Sequence, residues 1–465
     1  MPLLLVGLCM LAVVYLLYRD AQENPDTSGA LWIPLAWMFL AGSRYVSSWM
    51  SLGGGGGDTA YDEGSPLDAA VFATLIVAGL VVLYRRRIDW AQLVWGNKLI
   101  VCYFAYCLVS LAWSDEPAIG LRRWIKDMGN PIMALIILTE RHPLQAIGVV
   151  LRRLALLMLP MSVVFVRYYP ELGRTYHFGV PTFTGIGHQK NALGQMCLVA
   201  CIYFAWQVLQ DRAQFKAWSF GRRLRLWLLV AMAADLLRLS DSQTSIASLL
   251  LAIALMALAR VSFIARQPAR LVSVLIGGML AYFLLDSTLG LRDMALELMG
   301  RDPSLTSRTD LWAILLKLVD SPMLGTGFMS FWAGDRMTAV WAMLGTPVLQ
   351  AHSGYLEQYL NLGYVGVGFI VLLIAKGLFD ARALAPTDPS FAVLRLAFVV
   401  AAAAYNYTEA SFYGINNMWL LLLLGLLNLP RSTVEAAMST DDASRCLAQR
   451  QIEPYAVTDH STPAR

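Results

Sequence analysis

Apolar residues in this chain come in runs close to the thickness of a bilayer, and such runs leave few folds open. They occupy residues 3–18, 30–46, 67–84, 99–113, 131–139, 147–166, 192–209, 226–237, 246–259, 271–285, 355–375, 391–404 and 418–429. A helix needs roughly 20 predominantly apolar residues to cross the hydrocarbon. The composition agrees: 57% of the residues are hydrophobic and 15% charged, against roughly 45–50% and about 25% in soluble domains. The expectation is an all-α polytopic membrane protein with about 12–13 transmembrane helices and a long outer segment, residues 286–352, before the third-last helix. Residues 1–430 form the membrane domain. Residues 431–465, rich in Ser, Thr, Asp and Ala, read as a disordered cytoplasmic tail. The first run lacks basic residues at its start and a small-residue cleavage site before Arg19, so it reads as a retained helix.

Basic residues orient the chain. Arg85 to Arg87, Arg141, Arg152, Arg153, the stretches 211–225 and 260–270, and Lys376 with Arg382 fall in or beside alternate loops. The positive-inside rule places those loops in the cytoplasm and the intervening ones outside. The glycine run at 53–57 reads as a flexible linker. The formal net charge of +4 is explained by cytoplasmic loops, and nothing points to nucleic acid. Five of the six cysteines sit mostly within apolar runs without metal-ligand company, as small core hydrophobes do.

Ionisable residues are costly near hydrocarbon, so their placement is informative. Here they gather at the outward helix ends: Arg122, Arg123 and Lys126; Arg174 and His177; His188 and Lys190; Asp235, Arg238 and Asp241; Asp286; Glu409. The cations at 122, 123 and 126 read either as a solvated rim neutralised by Asp115, Glu116 and Asp127 or as an anion-attracting patch. In the outer segment, Ser307, Arg308, Thr309 and Asp310 fit a Ser-x-x-acid helix start, with apolar residues at amphipathic spacing until Pro322. Arg308 then stands in the first turn, the wrong end of the dipole for a cation; an anionic ligand or a salt bridge to Asp310 or Asp302 would account for it. His352 precedes Ser353, a good N-cap for a membrane helix with Glu357 and Gln358 in its first turns. The positive end of that dipole disfavours imidazolium. A neutral imidazole there suits either a general base or an interfacial histidine bonded to a backbone carbonyl.

Several stretches carry a family resemblance. His352-Ser353 is followed by nine residues, then Gly363 and Gly366. Upstream stand Ser307-Arg308-Thr309-Asp310-Leu311-Trp312 and Pro322-Met323-Leu324-Gly325-Thr326-Gly327-Phe328. Earlier still is His188-Gln189-Lys190-Asn191-Ala192-Leu193-Gly194, and Asn406-Tyr407-Thr408-Glu409 precedes the last helix. Together these resemble the bacterial O-antigen ligase and polymerase superfamily, which includes exopolysaccharide polymerases, over about residues 173–429.

The resemblance implies a membrane glycosyltransferase of the bacterial inner (cytoplasmic) membrane with its active site facing the periplasm. It would be inverting and metal-independent, without cofactor, and would use an undecaprenyl-diphosphate-linked oligosaccharide donor. His352 would be the general base on the acceptor hydroxyl, and Arg308 one of two cations on the donor diphosphate. Arg174 is the candidate for the second, with Lys190 as a substitute or helper and His188, Asn191 and Glu409 in support. The family stretch matching residues 240–244 often carries a basic residue where this chain has Gln243. The partners implied are the donor, a glycan or lipid A core acceptor, membrane lipids and other polysaccharide assembly proteins. The reading is a polymerase of exopolysaccharide or O-antigen. A ligase attaching the glycan to lipid A core or protein in lipopolysaccharide synthesis is the alternative within the class, and a lipid-linked oligosaccharide flippase or transporter the alternative outside it.

Overall fold

The computed structural model describes residues 2–50, 65–177, 180–210, 212–290 and 306–429. The glycine run, the tail, Asp302 and Cys446 lie outside the described residues, as do the side chains of residues 306–310. The chain is all-α and polytopic. Each of the apolar runs overlaps a helical segment. Among the described residues, six helices are long and apolar enough to cross a membrane: Pro66–Arg85, Pro143–Tyr168, Lys190–Leu209, Arg270–Leu289, Gly354–Leu384 and Pro389–Thr408. Trp90–Gly96 and Lys98–Trp113 make a broken pair bent by 88°, and Gly29–Gly42, Gln243–Leu258 and Asn417–Leu426 are shorter apolar helices.

Burial sorts the helices into layers. All ten residues of Asn417–Leu426 are buried, so this short helix is the centre of the bundle. Pro389–Thr408 packs beside it and also lies against Gln243–Leu258 and Gly354–Leu384. Lys190–Leu209 packs on Gln243–Leu258, where Gly194 allows the approach: a Cβ there would stand 2.5 Å from the Ser242 Cβ. Pro143–Tyr168 joins this group to Pro2–Glu23 and Phe220–Ser240. Helices at the edge keep apolar faces exposed, as lipid-facing surfaces must. Leu4, Leu8, Leu11 and Val14 on the first helix are examples. Cys107 and Cys197 are buried, as small core residues, whereas Cys102 is exposed.

Polar joints tie the helix ends. Arg395 donates to the carbonyls of Gly425 and Leu427, at 2.9 and 3.2 Å, closing the C-terminus of the central helix with positive charge. Arg86 pairs with buried Glu140 near the same end of the bundle as Ser28.

Two features depart from the sequence reading. The segment 167–184 contains a small antiparallel hairpin, Arg174–His177 with Val180–Phe183, rather than plain loop. The outer segment holds a second helix, Gly334–Leu344, beside Thr306–Lys317. These two helices build their own small core from Leu311, Leu315, Phe331, Trp332, Val340 and Ala351. The Thr306–Lys317 helix stops five residues short of Pro322, in a turn closed by the Leu318 amide on the Leu315 carbonyl.

Candidate active site

His352 stands at the junction of the outer segment and the Gly354–Leu384 helix. Ser353 caps that helix as its sequence implies, its hydroxyl accepting from the Leu356 amide at 3.4 Å. The backbone of His352 is left-handed, φ +52°, a conformation that costs a non-glycine residue about 1–2 kcal/mol. Its neighbours hold it there. The Ala351 amide donates to Glu357 Oε1 at 2.5 Å, and the Trp312 indole donates to the Ala351 carbonyl at 2.8 Å. Glu357 is fully buried and also accepts from the Trp332 indole, at 3.0 Å to both oxygens. Gly354 brings the helix start onto the next turn of chain: its amide donates to the Glu409 carbonyl at 2.9 Å, and a Cβ would lie 2.1 Å from Asn406 Oδ1.

Three residues singled out from the sequence meet here. His352 Nδ1 lies 3.7 Å from Glu409 Oε2, and Glu409 Oε1 accepts from Asn191 Nδ2 at 2.7 Å. Glu409 is 5% exposed, and the His352 side chain 32%. The carboxylate therefore sits behind the ring, on the Nδ1 side, while the imidazole keeps contact with the exterior. Asn406 fixes the turn that carries Glu409, accepting from the Ser411 amide at 2.7 Å and donating to the Ser411 hydroxyl at 2.9 Å. Thr408 joins Thr244, hydroxyl to hydroxyl, at 2.5 Å, which brings the 240–244 stretch to the same place.

The cations divide. Lys190 is the first residue of the helix whose second residue, Asn191, holds Glu409. It lies one turn before Gly194, which abuts Ser242 and Ser245, so it stands over the start of the Gln243–Leu258 helix. Arg174 instead closes the end of Pro143–Tyr168: its Nε and one terminal nitrogen donate to the Val166 carbonyl at 3.0 and 2.7 Å, and its guanidinium lies 5.2 Å from the Phe183 ring centre. His188 is exposed in the turn before Lys190. Arg308 lies in the Thr306–Lys317 helix, four residues before Trp312 and so on the helix face that Trp312 docks to Ala351. Its side chain lies outside the described residues, and so does the choice between an anion and Asp302 or Asp310.

Two of the three carboxylates expected to neutralise Arg122, Arg123 and Lys126 have other partners. Asp115 pairs with Arg336 at 2.7 Å. Asp127 is turned inward to Asn130 Nδ2 at 2.9 Å, and burial pushes its carboxyl up to about 7. Arg123 donates to the Met329 carbonyl at 2.6 Å, anchoring its helix Pro117–Asp127 to the outer segment. Asp235 sits between Arg167 and Arg238, at 2.9 and 3.0 Å, in an exposed ion-pair cluster of modest worth.

The glycine signature has a structural account. At Gly363 the Gly354–Leu384 helix breaks, φ +63° and ψ −162°, a conformation essentially reserved for glycine. The break frees backbone groups that hydrocarbon cannot satisfy. The Leu360 and Asn361 carbonyls accept from the amides of Thr326 and Gly327 at 3.1 and 2.8 Å, and the Leu362 carbonyl from the Tyr106 hydroxyl at 3.1 Å. The amides of Tyr364 and Val365 donate to the carbonyls of Pro322 and Met323 at 2.9 and 3.3 Å. The approach is backbone on backbone: a Cβ on Gly363 would lie 2.2 Å from the Met323 oxygen, and one on Gly325 2.5 Å from the Asn361 carbonyl carbon.

Glu357, Trp332 and Asn361 were not singled out for the site by sequence reasoning. The available signal was an acid one turn past an N-cap and an amide four residues on, an i,i+4 pair; Asn361 Nδ2 donates to the Glu357 carbonyl at 2.9 Å.

The fold is that of a polytopic all-α membrane protein. Residues 227–373 match the family described as O-Antigen ligase. The chain is also similar to the exopolysaccharide production protein ExoQ of Rhizobium meliloti (strain 1021), 24% identical over 377 residues, covering 76% of this chain and 81% of the relative. Both comparisons support the O-antigen ligase/ExoQ-like superfamily, in agreement with the motifs.

Proposed function

We propose that the chain is a membrane glycosyltransferase that polymerises polyprenyl-diphosphate-linked oligosaccharide at the periplasmic face of the inner membrane, with His352 as general base. The observation that carries this reading is the Asn191, Glu409, His352 series. Glu409 faces Nδ1 across 3.7 Å, beyond hydrogen-bond distance; closing that gap would hold the ring proton on Nδ1 and leave Nε2 free to take one from an acceptor hydroxyl. The acceptor oxygen then attacks the anomeric carbon from the face opposite the diphosphate, which inverts the centre as the glycosidic C–O bond breaks.

Charge that builds on the leaving diphosphate calls for fixed cations. Arg308 and Lys190 fill this role in our reading. Lys190 replaces the base absent at position 243, because its helix start stands over the start of Gln243–Leu258. Arg174 is a helix-closing residue in this scheme, its fork turned to Val166. No metal enters the scheme. Polyprenyl carriers keep the diphosphate at the membrane surface and the tail in the bilayer, which matches a site at the mouth of the bundle.

Polymerase is preferred to ligase on the similarity to an exopolysaccharide production protein. The glycan profile of a deletion strain decides between them. Loss of long chains with single units still attached is the polymerase result. Long lipid-linked chains that accumulate without attachment would overturn it in favour of the ligase.

A further inference from the structure

At the other end of the bundle is a pocket bordered by hydrogen-bond donors that lack acceptors. It lies between the end of Pro2–Glu23, the middle of Pro143–Tyr168 and the start of Phe220–Ser240, with an enclosed space of about 20 Å³, room for one oxygen-sized group, beneath an open mouth. Phe204 lines it, and residues 191 and 204 of one helix are about 20 Å apart at the helical rise. The pocket is therefore on the membrane face away from His352.

Among the described residues, three of its donors are buried without a hydrogen-bond partner: Arg152 Nη2, Arg222 Nε and the Trp218 indole nitrogen. The acids beside them are already committed. Asp20 accepts from Arg152 at 2.5 Å and Arg153 at 2.8 Å. Glu23 accepts from Arg225 at 2.6 and 2.8 Å and from Arg19 at 3.3 Å. Two carboxylates thus face five arginines once Arg222 is counted, and the Arg222 guanidinium lies 3.9 Å over the Trp218 ring. Buried donors without acceptors are costly, and a charged one more so. A water molecule would bring hydrogens of its own that also need acceptors, whereas an oxyanion brings acceptors only.

We infer that this pocket binds a phosphoryl oxyanion, held by Arg152, Arg222 and the Trp218 indole. The surroundings favour a lipid head group as its source. Leu156, Leu226 and Leu229 give the pocket an apolar wall, while Phe220 and Trp227, 75% and 51% exposed, lie at the same helix start. Aromatics of that kind mark the membrane interface. The anionic lipid would pin the first helix to the Phe220–Ser240 helix through charges the protein leaves over.

The test is thermal unfolding of the full chain in detergent, titrated separately with dioleoyl phosphatidylglycerol, dioleoyl phosphatidylcholine and inorganic phosphate. Phosphatidylglycerol should raise the midpoint saturably while the zwitterionic lipid does not. Arg222→Gln should weaken half-saturation about tenfold, the loss of one charge-assisted contact. Trp218→Phe, which keeps an aromatic ring under the arginine and removes the indole N–H with its five-membered ring, should weaken it less and covers the case of a misfolded Arg222 variant. An equal rise with inorganic phosphate would keep the oxyanion site but assign it to a soluble phosphate. Equal response to both lipids, no response to either anion, or variants that titrate like the wild type would each overturn the inference.

Discussion

His352, the residue proposed as general base, is held by groups outside the proposed reaction. Glu357 and Trp312 fix its backbone from one side through Ala351, and Glu409 faces its ring from the other. This explains how a histidine can tolerate φ +52° at a helix start: the surroundings over-determine it. The assignment of the cations follows the same logic and is testable at single positions. Lys190→Gln should lower kcat/KM for the lipid-linked donor about 10- to 100-fold, as expected for a lost charged contact to phosphate. Arg174→Gln should leave kcat/KM nearly unchanged and instead lower the unfolding midpoint in detergent, because it uncaps Val166. Steady-state kinetics with both variants at matched protein levels checks this, and the reverse pattern would move the second diphosphate cation back to Arg174.

At the scale of elements, the working parts are a broken helix and the segment that repairs it. The Gly354–Leu384 helix is interrupted at Gly363, and residues 322–327 supply the lost hydrogen-bond partners. This couples the outer segment, with Arg308 and Trp312, to the helix that begins beside His352. Gly363→Ala should destabilise the protein by at least about 1–3 kcal/mol from backbone strain alone, before the clash with the Met323 oxygen is counted. Thermal unfolding in detergent reads the loss, and a fully stable variant would argue against the break. Trp312→Phe should cost about 0.5–1.5 kcal/mol by removing one hydrogen bond, and it should lower kcat more than it changes donor affinity, since it loosens Ala351 and not the diphosphate contacts. Much of this was legible in sequence. The N-cap Ser353, the Gly325 and Gly327 turn and the helix near Arg308 follow from local rules, and the structure has them. The break at Gly363 was not legible, because an apolar run of membrane length reads as one continuous helix whether or not another segment pairs with its backbone. The Arg174 hairpin and the Gly334–Leu344 helix were missed for a related reason. Short elements that cover a larger bundle are set by tertiary contacts, such as Arg336 with Asp115 and Asp320, rather than by their own periodicity.

The whole molecule is a bundle with two chemically different ends. One end collects His352, Glu409, Lys190 and the helix of Arg308, and the other collects Asp20, Glu23 and an excess of arginine. Each apolar run of the sequence overlaps a helix; among the described residues some of these are individually long enough to cross, and others, such as Asn417–Leu426, are short and wholly enclosed by neighbours. Burial of that kind is invisible to hydropathy, which scores lipid and protein interior alike. The candidate residues were readable because ionisable groups gather at helix ends and are rare in helix middles, while the contacts among them span up to 218 positions, as between Asn191 and Glu409. The central claim is that His352 removes the acceptor proton. Glycan transfer by the purified protein in vesicles supplied with polyprenyl-diphosphate oligosaccharide, compared between wild type and His352→Ala, tests it most directly. The account predicts a rate about 10²- to 10⁴-fold lower with donor binding intact; a variant that transfers at the wild-type rate would contradict it.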